Sequence, residues 1–169
     1  ATTMKRLVLI NPVGRRSGYM LSRFSRFPPL GLAYVAAVTP PGWDIKILDE
    51  NFGPAALEDA DLVGITAFTS SIGRAYQIAA EYRGRGIPVV MGGIHASMMP
   101  DEALEYADAV VAGEVEEIWA KVLDDFAAGR MRGVYIGPVV DLEKSEIVPR
   151  RDLLHPDYLW NSIQTSRGC

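Results

Sequence analysis

Short apolar runs alternate along this chain with longer stretches in which apolar residues recur every three or four positions. Lys5 to Asn11 (KRLVLIN) is an apolar run of strand length. Pro28-Pro29 then precede LGLAYVAAV, and proline near a first turn is a helix start signal. Leu30, Tyr34, Ala37 and Val38 make the expected stripe of that helix, which Thr39-Pro40-Pro41-Gly42 ends. Trp43 to Leu48 alternates apolar and polar, as a strand near an edge does. Asp61 to Thr66 (DLVGIT) is apolar throughout and reads as a central strand. Ile72 to Arg85 is a helix with Ile72, Ala75, Tyr76, Ala79 and Ala80 on one face and Gly86 as its stop. Ile87 to Met91 is a fourth strand, closed by Gly92-Gly93. A short helix follows over Pro100 to Tyr106, with Asp101 and Glu102 in its first turn. Asp108 to Ala112 is a fifth strand. A helix over Glu114 to Ala128 carries Val115, Ile118, Trp119, Val122, Leu123 and Phe126 inward.

Strand–helix units of this length demand parallel strands with helices on both faces. The fold class is therefore α/β, an open doubly wound parallel sheet of about five strands in the flavodoxin-like order 2-1-3-4-5. Val134 to Val140 offers one extra edge strand. Residues 4–140 form the α/β domain. Residues 141–169, with little periodicity, read as a linker wrapping the domain or leading into a next one.

Composition narrows the class. The chain has 169 residues, 49% of them apolar and 22% charged, which suits a packed domain and excludes wholesale disorder. No apolar run reaches the ~18 residues of a membrane span, and the start has no signal-peptide shape. Met4 reads as a natural start and Cys169 as a point where a longer chain is cut. With 17 basic and 21 acidic residues, the net charge of −4 argues against a nucleic-acid surface. The local cluster Arg15, Arg16, Arg23 and Arg26 reads as a solvated loop. A single cysteine makes no internal disulfide, so a reducing compartment, the cytoplasm, is expected.

In such a sheet, ligands bind outside the carboxyl ends of the strands. The first loop has Gly14 and Gly18 at the wrong spacing for a dinucleotide fingerprint, and no P-loop is present. Asp49, at the end of the second strand, reads as a local cap without that glycine pattern. A phospho-receiver would need an aspartate where Thr66 stands and an acidic pair where Asn11-Pro12 stands. What remains is a hydroxyl cluster, Thr66, Thr69, Ser70 and Ser71, beside Gly92-Gly93. Side-chain-poor backbone flanked by hydroxyls describes a slot for a flat heteroaromatic or nucleotide tail. Each part also has a plainer reading. Gly-Gly makes turns, and Ser70 or Ser71 caps a helix. His95 reads equally as a hydrogen-bonding loop residue, His155 as a surface residue, and Glu114, Glu116 and Glu117 as acids at a helix start. No metal-ligand spacing and no nucleophile–base pair is visible, so the chain by itself does not read as catalytic.

The series NP…PPLGLAYVAA…LDEN…DLVGIT…IPVVMGGIHAS…ADAVVAGE…TSRGC resembles the N-terminal cobalamin-binding domain of the cobalamin-dependent radical S-adenosylmethionine enzymes. The resemblance runs from about Lys5 to Cys169. It implies that Thr66, Phe68, Thr69, Ser70, Gly92, Gly93 and His95 line the dimethylbenzimidazole tail of cobalamin. Gly113 and Glu114 would border its nucleotide portion, and Leu30 and Gly31 the corrin side. It implies that Cys169 is the first of three cysteine ligands to a [4Fe–4S] cluster that binds S-adenosylmethionine in a barrel following in cis. The family's radical chemistry then passes a methyl group from cobalamin to an unactivated carbon of a small-molecule substrate; some members rearrange or cyclise instead. The first loop, Asn11-Pro12-Val13-Gly14, lacks the histidine that ligates cobalt in mutases, so base-off binding without a histidine lower ligand is expected. Val115 stands where many relatives have glycine. Bulk at Gly92 or Gly93 is expected to block the slot with little loss of folding. A cobalamin or small-molecule sensor and a flavin- or nucleotide-binding domain are the competing readings.

Overall fold

A computed structural model of the chain describes residues 4–15 and 23–167. Arg16, Ser17, Gly18, Gly168 and Cys169, singled out in the sequence, lie outside the described residues. Six strands form one sheet in the order β2-β1-β3-β4-β5-β6. They are β1 (Lys5–Asn11), β2 (Trp43–Asp49), β3 (Leu62–Thr66), β4 (Val89–Gly92), β5 (Ala109–Gly113) and β6 (Gly133–Gly137), and every neighbouring pair is parallel. The extra edge strand is thus β6, shorter than the 134–140 run suggested because Pro138 has no N–H to continue a ladder.

Helices cover both faces. α2 (Ile72–Gly84), α3 (Ile94–Met98) and α4 (Pro100–Tyr106) lie on one, α1 (Leu30–Val38) and α5 (Trp119–Ala127) on the other. Strand alternation sorts the core accordingly. Val8, Ile10, Val63, Ile65, Met91 and Val110 pack under α2 and α4 with Ile78 and Tyr82. Leu7, Leu9, Leu62, Val90 and Val111 pack under α1 and α5 with Leu32, Trp119 and Val122.

Four expectations shift. α1 buries Leu30, Leu32, Ala33 and Ala36 rather than a Leu30–Tyr34–Ala37–Val38 stripe. Its sequence is apolar almost all round, so the pattern carries no phase, and the later segment adds a second covering surface through the Arg150 N–H to the Ala33 carbonyl and through Leu153. α2 is rotated so that Ala75, Ile78, Ala79 and Tyr82 are buried, and the Glu58 N–H donates to the Tyr82 hydroxyl. α3 is a short helix not foreseen, so His95 sits in a helix and not a loop. α5 begins at Trp119, five residues after Glu114.

Candidate cofactor site

The site follows from strand alternation. On the face toward α1 and α5, β3 presents Leu62, Gly64 and Thr66, β4 presents Val90 and Gly92, and β5 presents Val111 and Gly113. Register sets Gly64 beside Val90 and Thr66 beside Gly92. Towards the carboxyl ends this face therefore loses its side chains, while the helices above keep their distance. The result is a crevice of about 160 Å³. Leu9, Gly64, Val90 and Gly92 line its floor, Gly31 and Tyr34 of α1 one wall, and Val115 and Trp119 the other. The Trp119 indole donates to the Thr39 hydroxyl at 2.9 Å, and that hydroxyl donates to the Val35 carbonyl at 2.7 Å. The first bond ties the two walls together at the far end of α1, and the second fixes the Thr39 hydroxyl on α1.

The mouth is polar. Gly113 has φ +85° and its backbone lies against Gly137, where a Cβ on either glycine would strike the facing backbone. This close approach holds Glu114 outside the helix, so Glu114, Glu116 and Glu117 do not serve a helix start as the sequence suggested. Glu114 and Glu116 instead meet Arg167. Its Nη1 donates to Glu114 Oε2 at 2.9 Å and to Glu116 Oε1. The guanidinium lies over the Tyr34 ring, 4.3 Å from its centre. The side chains of Arg167 and Glu116 are only 5% and 3% exposed.

The residues expected around the slot divide. Gly31, Thr66, Gly92, Gly93, Gly113 and Glu114 line the crevice. Leu30 is buried in the core, and Phe68, Thr69 and Ser70 are exposed on the rim beyond it. His95 belongs to the other face. Its Nδ1 is 3.1 Å from the Thr69 hydroxyl and its Nε2 3.3 Å from Glu102 Oε1, which also accepts from the Tyr76 hydroxyl at 2.8 Å. Tyr76 and then His95 hold the Glu102 carboxyl below its usual value, and burial followed by Glu102 pushes the Tyr76 phenol up. Ser71 stands at the N-cap of α2, but its hydroxyl bonds back to Phe68 and not forward into the helix. Gly92 is a strand residue paired with Thr66, so Gly-Gly is not a simple turn. The two glycines also differ in tolerance. A Cβ on Gly92 meets the Val111 carbonyl at an ordinary 3.5 Å, whereas Gly93 has φ +90° and its Cβ would lie 2.5 Å from Thr66 Oγ1. The expectation of harmless bulk therefore fails at Gly93.

Gly64, Tyr34, Trp119, Glu116 and Arg167 complete the site without having been singled out for it. Gly64 was legible: one glycine inside an apolar strand, two positions before Thr66, marks a gap on that face.

Around the neighbouring strand ends, the loops are occupied by structure of their own. Asp49 accepts from Asn11 Nδ2 at 2.9 Å, from the Asn51 N–H at 3.0 Å and from the Tyr158 hydroxyl, which is the local-cap reading. His155 stacks on Phe52 at 3.7 Å, so it is packed rather than free on the surface. Arg23 donates to the Asp157 carbonyl at 3.2 Å, anchoring the later segment, and Arg26 lies over the Phe52 ring, so neither is merely solvated. In the first loop, Gly14 packs on the Ser70 carbonyl, where a Cβ would come within 2.1 Å. Glu50 accepts from the Val13 and Ala55 N–H groups and from Arg74; burial raises its pKa, but Arg74 and the two N–H groups outweigh it and the carboxyl is held low. Among the described residues, no group of three or more His, Cys, Asp or Glu side chains is placed to hold a metal ion, and no helix is long and apolar enough to cross a membrane.

A parallel sheet with an apolar, side-chain-poor crevice at its carboxyl edge and a polar mouth defines an α/β domain built to receive a planar group with a hydrophilic end. Residues 16–123 match the B12 binding domain family, and the chain belongs to it. The bacteriochlorophyllide d C-8(2)-methyltransferase of Chlorobaculum tepidum is 42% identical over 108 residues, covering 63% of this chain and 24% of that protein. The bacteriochlorophyllide d C-12(1)-methyltransferase of the same organism is 30% identical over 157 residues, covering 91% of this chain and 33% of that protein. The hopanoid C-2 methylase of Rhodopseudomonas palustris is 27% identical over 158 residues, covering 84% and 28%. The chain thus spans about a third or less of these three relatives, with shares of 24%, 33% and 28%. Cobalamin fits the site: its benzimidazole is flat and largely apolar, as is the depth of the crevice, and its nucleotide end is hydrophilic, as is the mouth. Gly31 is exposed and a Cβ on it would meet nothing within 4 Å, so the wall is open at that end.

Proposed function

We propose that the domain binds cobalamin base-off, with the dimethylbenzimidazole tail inserted in the crevice between the sheet and α1 and α5. The observation that carries this is the strip Gly64, Thr66, Gly92, Gly113, which leaves a flat floor beneath two apolar walls. Gly31 and Tyr34 flank the tail, Thr66 offers it a hydroxyl, and Glu114 borders its nucleotide end. Asn11-Pro12-Val13-Gly14 brings no imidazole to the cobalt, so no histidine lower ligand comes from this loop.

The domain, residues 4–140, serves as the corrinoid-holding part of a larger cobalamin-dependent radical S-adenosylmethionine methyltransferase. Residues 141–169 link it to a barrel in cis, where Cys169 is the first ligand of a [4Fe–4S] cluster that binds S-adenosylmethionine. The methyltransferase names of relatives two to four times longer support this reading. Cobalamin, when bound, supplies a carrier for a methyl group. The chain's own residues position it and exclude water from the tail; the substrate is a small molecule acted on at an unactivated carbon.

Titration with hydroxocobalamin tests the proposal. Saturable binding with the absorption change of base-off cobalamin is expected. Folded protein that leaves the base-on spectrum unchanged, or that binds a flavin in preference, would overturn it.

A further inference from the structure

Two polar atoms at the mouth of the crevice are buried and unsatisfied: Arg167 Nη2 and Glu116 Oε2 have no hydrogen-bond partner among the described residues. Both residues line the crevice. Arg167 cannot turn Nη2 away to find one, because its Nη1 is held by Glu114 and Glu116 and its plane by the Tyr34 ring. A donor and an acceptor left bare in a dry site are costly unless a bound group completes them.

We propose that Arg167 and Glu116 form a recognition pair for a neutral group that both accepts and donates a hydrogen bond, a hydroxyl or a primary carboxamide of the bound corrinoid. The inference rests on the crevice reading above and adds to it two residues and a chemical preference. Charge sets that preference. Glu114 and Glu116 carry two negative charges against the single positive charge of Arg167, so the cluster has no spare positive charge to hold an anion and suits a neutral group. A neutral group with one acceptor for Nη2 and one donor for Oε2 leaves nothing unpaired. Corrinoids present such groups in two places, the carboxamides around the ring and the ribose hydroxyl of the nucleotide tail.

The test is an absorption titration of the whole chain with hydroxocobalamin and with cobinamide, which keeps the ring carboxamides and lacks the nucleotide. Arg167→Lys keeps the charge that the two glutamates need but loses the second guanidinium N–H. Glu116→Gln keeps the shape and replaces the carboxylate; it carries the test independently if the first variant folds poorly, which thermal unfolding reports. Each variant is expected to weaken cobalamin about tenfold, the worth of one well-placed hydrogen bond. A parallel loss for cobinamide assigns the pair to a ring carboxamide; unchanged cobinamide binding assigns it to the ribose. Variants that bind both corrinoids as tightly as the parent chain, or more tightly, overturn the pair. A folded parent chain that binds neither corrinoid overturns the crevice reading instead.

Discussion

Gly31→Phe places a benzyl group where the corrinoid tail is proposed to lie. Gly31 is the second residue of α1, its φ is not positive, and its Cβ would meet no atom within 4 Å. The backbone there accepts any L residue. Glycine in a helix costs about 0.5–1 kcal/mol relative to alanine, and phenylalanine recovers part of that. Folding stability should therefore hold or rise slightly, with Tm within about 4 °C of the parent. Binding should suffer. An aromatic group of this size buries roughly 150–250 Å², worth about 4–6 kcal/mol at ~25 cal/mol per Å². Ordering the flexible tail offsets about half. Losing the remaining 2–3 kcal/mol, at about 1.4 kcal/mol per decade, weakens cobalamin by roughly 30- to 140-fold. The assay is the visible absorption titration, run beside cobinamide, which has no tail to exclude and should be affected less. A variant that unfolds like the parent yet binds cobalamin with parental affinity and the same base-off spectrum would refute the assignment of this crevice to the tail.

Gly93→Ala should act on folding rather than on space: φ +90° and a Cβ 2.5 Å from Thr66 Oγ1 predict a loss of about 1–3 kcal/mol, read as a Tm drop of roughly 2–12 °C. His95→Gln should cost about 1–2 kcal/mol by breaking the link between Thr69 and Glu102, while cobalamin affinity stays within about twofold, because His95 faces away from the crevice; a large loss of affinity would return His95 to the binding site. The Glu50 carboxyl is held below its ordinary 4.5, since Arg74 and two backbone N–H groups outweigh burial. Its contribution is therefore complete above pH 4.5 and disappears as pH falls through the lower folded value, so Glu50→Gln should flatten the fall of Tm on acidification below about pH 4.5. Equal slopes for the two proteins would disprove that linkage.

The strands and their order were legible because each apolar run is short and ends in a turn signal, and helices join most of them to the next, β2 and β3 being linked by a loop with no α-helix instead. The parallel, right-handed connections then leave few orders open. What escaped the sequence depended on contacts made across long separations. Val115 and Ile118 have helical spacing with Trp119 and Val122, yet the helix waits until Trp119. The cause is Gly137, 24 residues beyond Gly113, whose backbone traps Gly113 and Glu114 in close approach. Arg167 lies 53 residues from the Glu114 carboxylate it binds. No window along the chain joins those two. The hydroxyl cluster misled for a simpler reason. Thr66 ends the strand and keeps its alternation toward the crevice, but the chain turns at Phe68, so Thr69 and Ser70 leave that face.

The two faces of the sheet explain why the ligand belongs to one of them. Under α2 and α4, the strands carry Val63, Ile65, Met91 and Val110 up to their carboxyl ends, and Ile78 and Tyr82 pack directly onto the sheet. The polar groups there already satisfy one another, His95 with Thr69 and Glu102, and Glu102 with Tyr76. That cluster of polar groups leaves no atom of His95, Tyr76 or Glu102 bare for a ligand to complete. Under α1 and α5, the same strands alternate to Gly64, Gly92 and Gly113, and two of the buried polar atoms left bare, Arg167 Nη2 and Glu116 Oε2, stand at the opening. A single residue step in any of these strands would exchange the faces. The phase of the glycines within β3, β4 and β5, more than their number, is therefore what turns a common fold into a corrinoid site.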